Sequence, residues 1–263
     1  WTVARPEKVD TLLLADDILS QPSPVRTRTW TDAVRADVAL QYQYRREFAT
    51  RRQGPLLLSR TPEAIYSLLY PLGPARNPIT RNAMTTVRWS AFLEVATGRY
   101  EETRLGETNQ TVAANRTGFS AGLASSPLLI GRDLLAGVQL RHTELRYSGD
   151  RRFTINETGT GLEWKPAPYT GLGVAVIRRS MRGETPFFFD QVDAADEGQL
   201  RIRFPLAGKL AGGVLVRRDL TQNRTFDTEY TIAVRSAGIE PRLTYRTLNR
   251  QIGLRFALPA FER

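Results

Sequence analysis

His142, in Arg141-His142-Thr143-Glu144, is the only histidine of this 263-residue chain, so any histidine-dependent chemistry must pass through it. A nucleophilic site needs a hydroxyl activated by histidine, with a third group orienting the ring. Ser148 is six residues on; along a strand that places it on the same side but about 20 Å away, and Thr143 next door faces the opposite side. The expected role of His142 is that of a strand or loop-end side chain. Asp190, Asp193, Asp196 and Glu197 offer oxygen ligands for a cation. Their spacing lacks the alternating oxygens and mid-loop glycine of a calcium loop, so an acidic external loop is expected. Gly171, Gly173, Gly212 and Gly213 fall in strand-like stretches, where no helix follows to receive a phosphate. There is no cysteine, hence no disulfide and no thiolate metal site. No catalytic residue, metal or cofactor is expected, and the chain does not read as an enzyme.

Charge is the other chemical resource. The net charge is +10, and it is carried by arginine, since Lys8, Lys165 and Lys209 are the only lysines. A guanidinium holds its charge in low-dielectric surroundings and grips phosphate or carboxylate with two parallel hydrogen bonds. Nucleic acid, lipid headgroups and phosphorylated glycolipids are all suitable partners. Arginines that line a solvated face opposite an apolar one give the same composition.

The elements that must position these residues are strands. From 34 to 48, Val38, Leu40, Tyr42 and Tyr44 alternate with Asp37, Gln41, Gln43 and Arg45. The same period of two recurs in Val87, Trp89, Ala91, Leu93 and Val95; in Leu172, Val174 and Val176; in Leu200, Ile202 and Phe204; and in Tyr230, Ile232 and Val234. Residues 1–33 read as irregular, broken by Pro6, Pro22 and Pro24. A proline-rich insertion is expected at 53–81. Within it Thr61-Pro62-Glu63 has the order of a helix N-terminus, and Ile65, Leu68 and Leu69 give a short helix one apolar face. A long exposed loop is expected at 181–198. The chain starts at Trp1 without a basic-then-apolar leader, and reads as processed or as a piece of something longer.

No apolar run approaches the roughly 20 residues a membrane helix needs. A mean hydropathy of -0.34 is nevertheless compatible with a membrane barrel, whose lumen side is polar. The fold expected over 34–263 is all-β: an antiparallel transmembrane β-barrel, or the C-terminal part of one, with roughly 10–12 strands. Tyr100, Tyr147, Trp164, Tyr169 and Phe204 near strand ends suit interfacial girdles. Arg201, Arg203, Arg235, Arg242, Arg246 and Arg255 lie opposite the apolar stripe and are the lumen candidates for a substrate path. The final octamer runs from Gln251 through Gly253 and Phe256 to Leu258, and resembles the C-terminal signal that directs bacterial outer-membrane barrels to the insertion machinery. A soluble β-sandwich is the competing architecture.

The stretch Arg224–Leu258 resembles the C-terminal end of the LptD family of outer-membrane lipopolysaccharide-assembly barrels. The residues that carry the likeness are Thr228-Glu229-Tyr230-Thr231-Ile232-Ala233-Val234-Arg235, then Arg242-Leu243-Thr244-Tyr245-Arg246, then the octamer; Leu162-Glu163-Trp164-Lys165-Pro166 fits the same pattern. Many members carry a cysteine pair where this chain has Ser236-Ala237-Gly238, so the disulfide tie to an N-terminal domain is missing here. The resemblance implies a bacterial outer-membrane protein that moves lipopolysaccharide or a related amphiphile into the outer leaflet. It also implies a plug lipoprotein, periplasmic bridge proteins and outer-membrane lipid as partners, and no nucleic acid. Two other readings stand beside it: a basic, anion-favouring porin or channel, and a soluble β-rich protein that binds a polyanion.

Overall fold

The computed structural model describes residues 34–49, 55–72, 89–105, 110–125, 128–130, 133–167, 170–234, 240–248 and 250–257. The segment expected to be irregular, 1–33, lies outside them. The period-two stretches become β1 (Arg35–Ala49), β2 (Pro55–Leu72), β3 (Trp89–Arg104), β4 (Gln110–Ser125), β5 (Leu128–Ile130), β6 (Leu134–Tyr147) and β7 (Arg152–Ala167). The second half supplies β8 (Thr170–Gly183), β9 (Asp196–Pro205), β10 (Leu210–Asp219), β11 (Arg224–Val234), β12 (Glu240–Arg246) and β13 (Gln251–Ala257). Every pairing is antiparallel and, except that β4 pairs β6 past the three-residue β5, between neighbours in sequence, so the chain meanders through one continuous sheet, with β5 pairing β6 off the main path. Tight turns allow this: Gly149 and Asp150, with φ of 85° and 59°, turn β6 into β7, and Asn223 at 52° turns β10 into β11. β1 and β13 are each paired on one side only, and between them the sheet is not closed.

The two faces are inverted relative to a water-soluble sheet. On β8, Gly171, Gly173, Ala175 and Ile177 are buried, while Leu172, Val174 and Val176 are 40–48% exposed. On β9, Glu197, Gln199 and Arg201 are buried, and Leu200, Ile202 and Phe204 face out. Ser90, Glu94 and Glu102 on β3 and Arg116 and Ser120 on β4 are likewise inside. In water, charged side chains almost never take the buried positions of a strand while its aliphatic ones face solvent. The described residues contain no second sheet and no α-helix to cover the polar face. It is buried because the sheet curls around it and one loop folds back into it.

The expected short helix at 61–69 does not form; β2 runs through it. Leu56, Leu58 and Arg60, then Glu63, Ile65 and Leu69, are buried on one face, a period of two that a bulge interrupts. The register slips by one residue between Arg60 and Glu63 against β3. Thr61-Pro62 occupies that slip, where the missing proline N–H costs no ladder bond. On β3 the register partner of Glu63, just past the slip, is Gly98, and a Cβ there would sit 2.6 Å from the Pro62 carbonyl oxygen. The helix-like order Thr-Pro-Glu is therefore a strand bulge. The proline-rich insertion expected at 53–81 is mostly strand, with 73–81 outside the described residues.

The apolar band on the outer face crosses the hydrogen-bond register obliquely. The register line through Val95 runs to Phe119, then Glu144, Thr154 and Arg182. Apolar at β3 and β4, it is polar from β6 onward, while β8 has its own apolar residues six positions lower, ending at Val176.

Candidate functional site

Inside the curled sheet, an unbroken belt of alternating charge passes from β6 to β12. Glu157 lies 3.8 Å from Arg141 and 2.7 Å from Arg179; Glu197 lies 2.7 Å from Arg179 and 4.0 Å from Arg217. Asp227 then takes Arg217 at 2.6 Å and the Nε of Arg246 at 3.0 Å. Register explains the order, because Arg141, Glu157 and Arg179 are direct cross-strand partners, as are Arg217 and Asp227. Each acid is shared by two arginines, and every member is at least mostly buried. Removing a charge from water costs several kcal/mol, which a paired and hydrogen-bonded partner offsets. Asp227 carries a further duty: its other oxygen accepts the Leu248 backbone N–H at 3.1 Å, tying down the turn after β12.

The second feature is the connection between β8 and β9, residues 184–195. Expected as a long exposed acidic loop, it instead folds inward across β3, β4 and β6. Phe187 and Phe189 are 0% and 5% exposed and stack on each other at 4.9 Å. Around them lie Tyr100, Tyr147, Leu145, Phe153, Leu56 and Leu58, the largest apolar cluster of the interior. The 3-10 turn Phe188–Asp190 delivers Asp190 to two partners: the Arg116 guanidinium and the Tyr147 hydroxyl, which donates at 2.9 Å. Glu102 accepts the Phe189 backbone N–H at 3.0 Å, and Arg104 donates to the Pro186 carbonyl at 2.9 Å while lying over the Phe188 ring. Arg116 is completely enclosed; it also donates to the Tyr100 hydroxyl at 2.8 Å, and Tyr100 in turn donates to Glu63. Burial holds the Asp190 carboxyl above the usual carboxylate range, with Arg116 and the Tyr147 hydroxyl pulling it back down. An apolar wedge with one acid at its tip is thus locked onto a wall that presents one buried cation. The loop covers the inner face of β2, β3, β4 and β6 at these residues.

Of the six lumen candidates, Arg201 is buried on the inner face, Arg203 reaches Glu163 at 2.5 Å, and Arg246 belongs to the belt. Arg242 sits on β12 in register with Arg255 but is exposed. Arg235 lies outside the described residues, and the side chains of Arg255, Gln251 and Phe256 are outside them too, as is Leu258. Gly253 is exposed on β13. The inner arginines that matter most, Arg116, Arg141, Arg179 and Arg217, were not among those singled out. A signal for two of them existed: the doublets Arg178-Arg179 and Arg217-Arg218 must each put one guanidinium on either face of a strand. His142 faces outward and bonds Asn156 at 2.7 Å, with no part in a nucleophilic group. No cluster of histidine and acidic ligands suited to a metal occurs among the described residues. Comparison with protein-family models, with curated proteins and with solved structures found no match.

Proposed function

We propose that this chain forms all or part of a bacterial outer-membrane β-barrel that passes lipopolysaccharide or a related amphiphile into the outer leaflet. The observation that carries the membrane reading is the inversion of the sheet: a continuous apolar surface outside and paired charges inside. Such a surface in water would be an aggregation site far larger than the few hundred Å² soluble proteins usually expose, which argues against the soluble polyanion binder. The oblique course of the apolar band fits strands tilted to a planar lipid layer, as barrel strands are.

The amphiphile reading draws on the unclosed junction between β1 and β13. The flanking strands carry the most exposed large apolar residues among those described: Val38 and Leu40 at 78%, Ile252 at 73% and Leu254 at 62%. An unpaired apolar edge in lipid must either pair or admit something between its strands, and a lateral passage there would let acyl chains leave while polar groups stay inside. The interior speaks against a passive anion channel, because its arginines are committed to carboxylates and part of its inner face is covered by residues 184–195. Outer-membrane lipid, the insertion machinery, a plug lipoprotein and periplasmic bridge proteins are the partners that belong to this reading.

The chain has no cysteine, so pairs placed at Val38 or Leu40 with Ile252 or Leu254 report only on this junction. Oxidation should cross-link at least one pair and abolish transfer of a phosphorylated amphiphile into proteoliposomes, with reduction restoring it. Transfer that survives complete cross-linking rules out the lateral route. Folding to a monomer in the absence of detergent rules out the barrel itself.

A further inference from the structure

The inner arginines are spent on inner acids, yet a second set stands outside. On β8 the apolar band ends at Val176 and is followed on the same face by Arg178 and Arg182; on β10 Val216 is followed by Arg218. Arg146 and Arg152 hold the corresponding stretch of β6 and β7; all five are exposed. The carboxylates on this stretch are Glu144, which Arg146 and Arg152 share, and Asp196, 3.7 Å from Arg178. Five guanidinium groups thus face two carboxylates, leaving an excess of three. Asp150 and Glu184 lie further out, at the loop tips alongside Arg151. Arg182 has no ion-pair partner among the described residues, and Arg218 is held upright by Asn223 at 3.0 Å. Thr154, Thr158 and Ser180, neutral hydrogen-bonding groups on the same face, stand between the arginines.

The other margin of the band differs in kind. There the outer face ends in Trp89, Trp164, Phe204 and Leu210, with no basic side chain on it among the described strands. A solvated face has no reason to put its cations along one border of an apolar belt and aromatics along the other. A lipid leaflet does, since phosphates lie immediately above the acyl chains, where basic residues are attracted to the anionic surface and a guanidinium grips phosphate with two hydrogen bonds.

We propose that this arginine-rich wall binds the phosphate groups of membrane lipids whose acyl chains cover the apolar band below it. This rests on the membrane reading and adds to it a substrate class, phosphate-bearing rather than neutral amphiphiles, and a location, the outer wall of β6–β10 rather than the lumen. The test is lipid binding to the detergent-folded protein, counted by native mass spectrometry, with phosphatidic acid and phosphatidylcholine as probes and inorganic phosphate as competitor. Phosphatidic acid should bind about tenfold more tightly or better. The preference should vanish in the triple variant Arg178→Gln/Arg182→Gln/Arg218→Gln and persist in the inner-face control Arg203→Gln. Equal affinity for the two lipids, a preference that survives the triple change, or competition by inorganic phosphate at the concentration of the lipid would each overturn it. Insertion of both proteins into bilayers is measured in parallel. Normal insertion without a phosphate preference removes only this proposal, whereas failure of the unmodified protein to insert removes the membrane reading and the proposal with it.

Discussion

Exchanging Asp190 for alanine should release the inward loop. Asp190 is the nearer carboxylate on Arg116, a cation with no exposed surface whose other carboxylate, Glu63, is 3.8 Å away and already paired with Arg60, and it also accepts the Tyr147 hydroxyl. Removing one member of a buried pair costs about 3–5 kcal/mol when the other charge is left without compensation, and the Glu63 carboxylate that remains beside Arg116 puts the expected cost at the lower end of that range. The wedge of Phe187 and Phe189 retains its apolar contacts, so the strands should stay folded while the loop opens. Opening governed by that energy rises on the order of a hundredfold or more. Chymotrypsin, which cuts after aromatic residues, is the direct probe: cleavage between 187 and 189 should accelerate by that order in Asp190→Ala. Bilayers holding the variant should show conductance absent from the unmodified protein. The double change Arg116→Met/Asp190→Leu should restore much of the protection, since two apolar side chains leave no orphaned charge. Unchanged cleavage in Asp190→Ala would mean that the aromatic stack alone fixes the loop.

Asp227 is the other position where a single substitution should be severe. It bridges Arg217 and Arg246 and accepts the amide of Leu248, so three donors lose their partner together. The Asp227→Ala variant should lose about 3–5 kcal/mol, read as a lower urea midpoint for unfolding of the detergent-folded protein, and the turn joining β12 to β13 should be the first to lose hydrogen-exchange protection. Asp227→Asn keeps an acceptor for Leu248 and should fall between the two. Arg203→Ala, whose side chain is partly exposed beside Glu163, should move the midpoint little by comparison. Equal midpoints for Asp227→Ala and Arg203→Ala would show that the belt is not a structural unit.

Much of this architecture was legible as alternation. Leu172, Val174 and Val176, or Leu200, Ile202 and Phe204, announce strands because a period of two has no other regular interpretation. The antiparallel meander follows from short turns such as Gly149-Asp150. Which face would be buried was not settled by alternation alone, since a soluble sandwich uses the same period with the opposite face inside. The helix expected near Thr61 failed because Pro at the start of a helix and Pro in a strand bulge share the same local requirement, a missing N–H that nothing needs. The inward loop was missed for a different reason. Three consecutive phenylalanines between acids look like a surface loop until the wall that receives them is known, and Tyr100, Arg116 and Tyr147 come from three other strands. The belt was hidden in register: Glu157, Glu197 and Asp227 become partners of arginines only once residue-by-residue pairing is given. Parity did place Arg201, Arg203 and Arg246 inside, but it could not show that Glu163 and Asp227 had already claimed Arg203 and Arg246.

The central claim is that lipid, not water or protein, covers the outward face. A fluorophore attached to single cysteines at Val174, Ala175, Arg201, Ile202, Ile232 and Ala233, in vesicles whose acyl chains carry bromine, measures this position by position. The account predicts strong quenching at Val174, Ile202 and Ile232 and little at Ala175, Arg201 and Ala233, alternating along each strand. Quenching absent at all six positions, or equal on both faces, would contradict it.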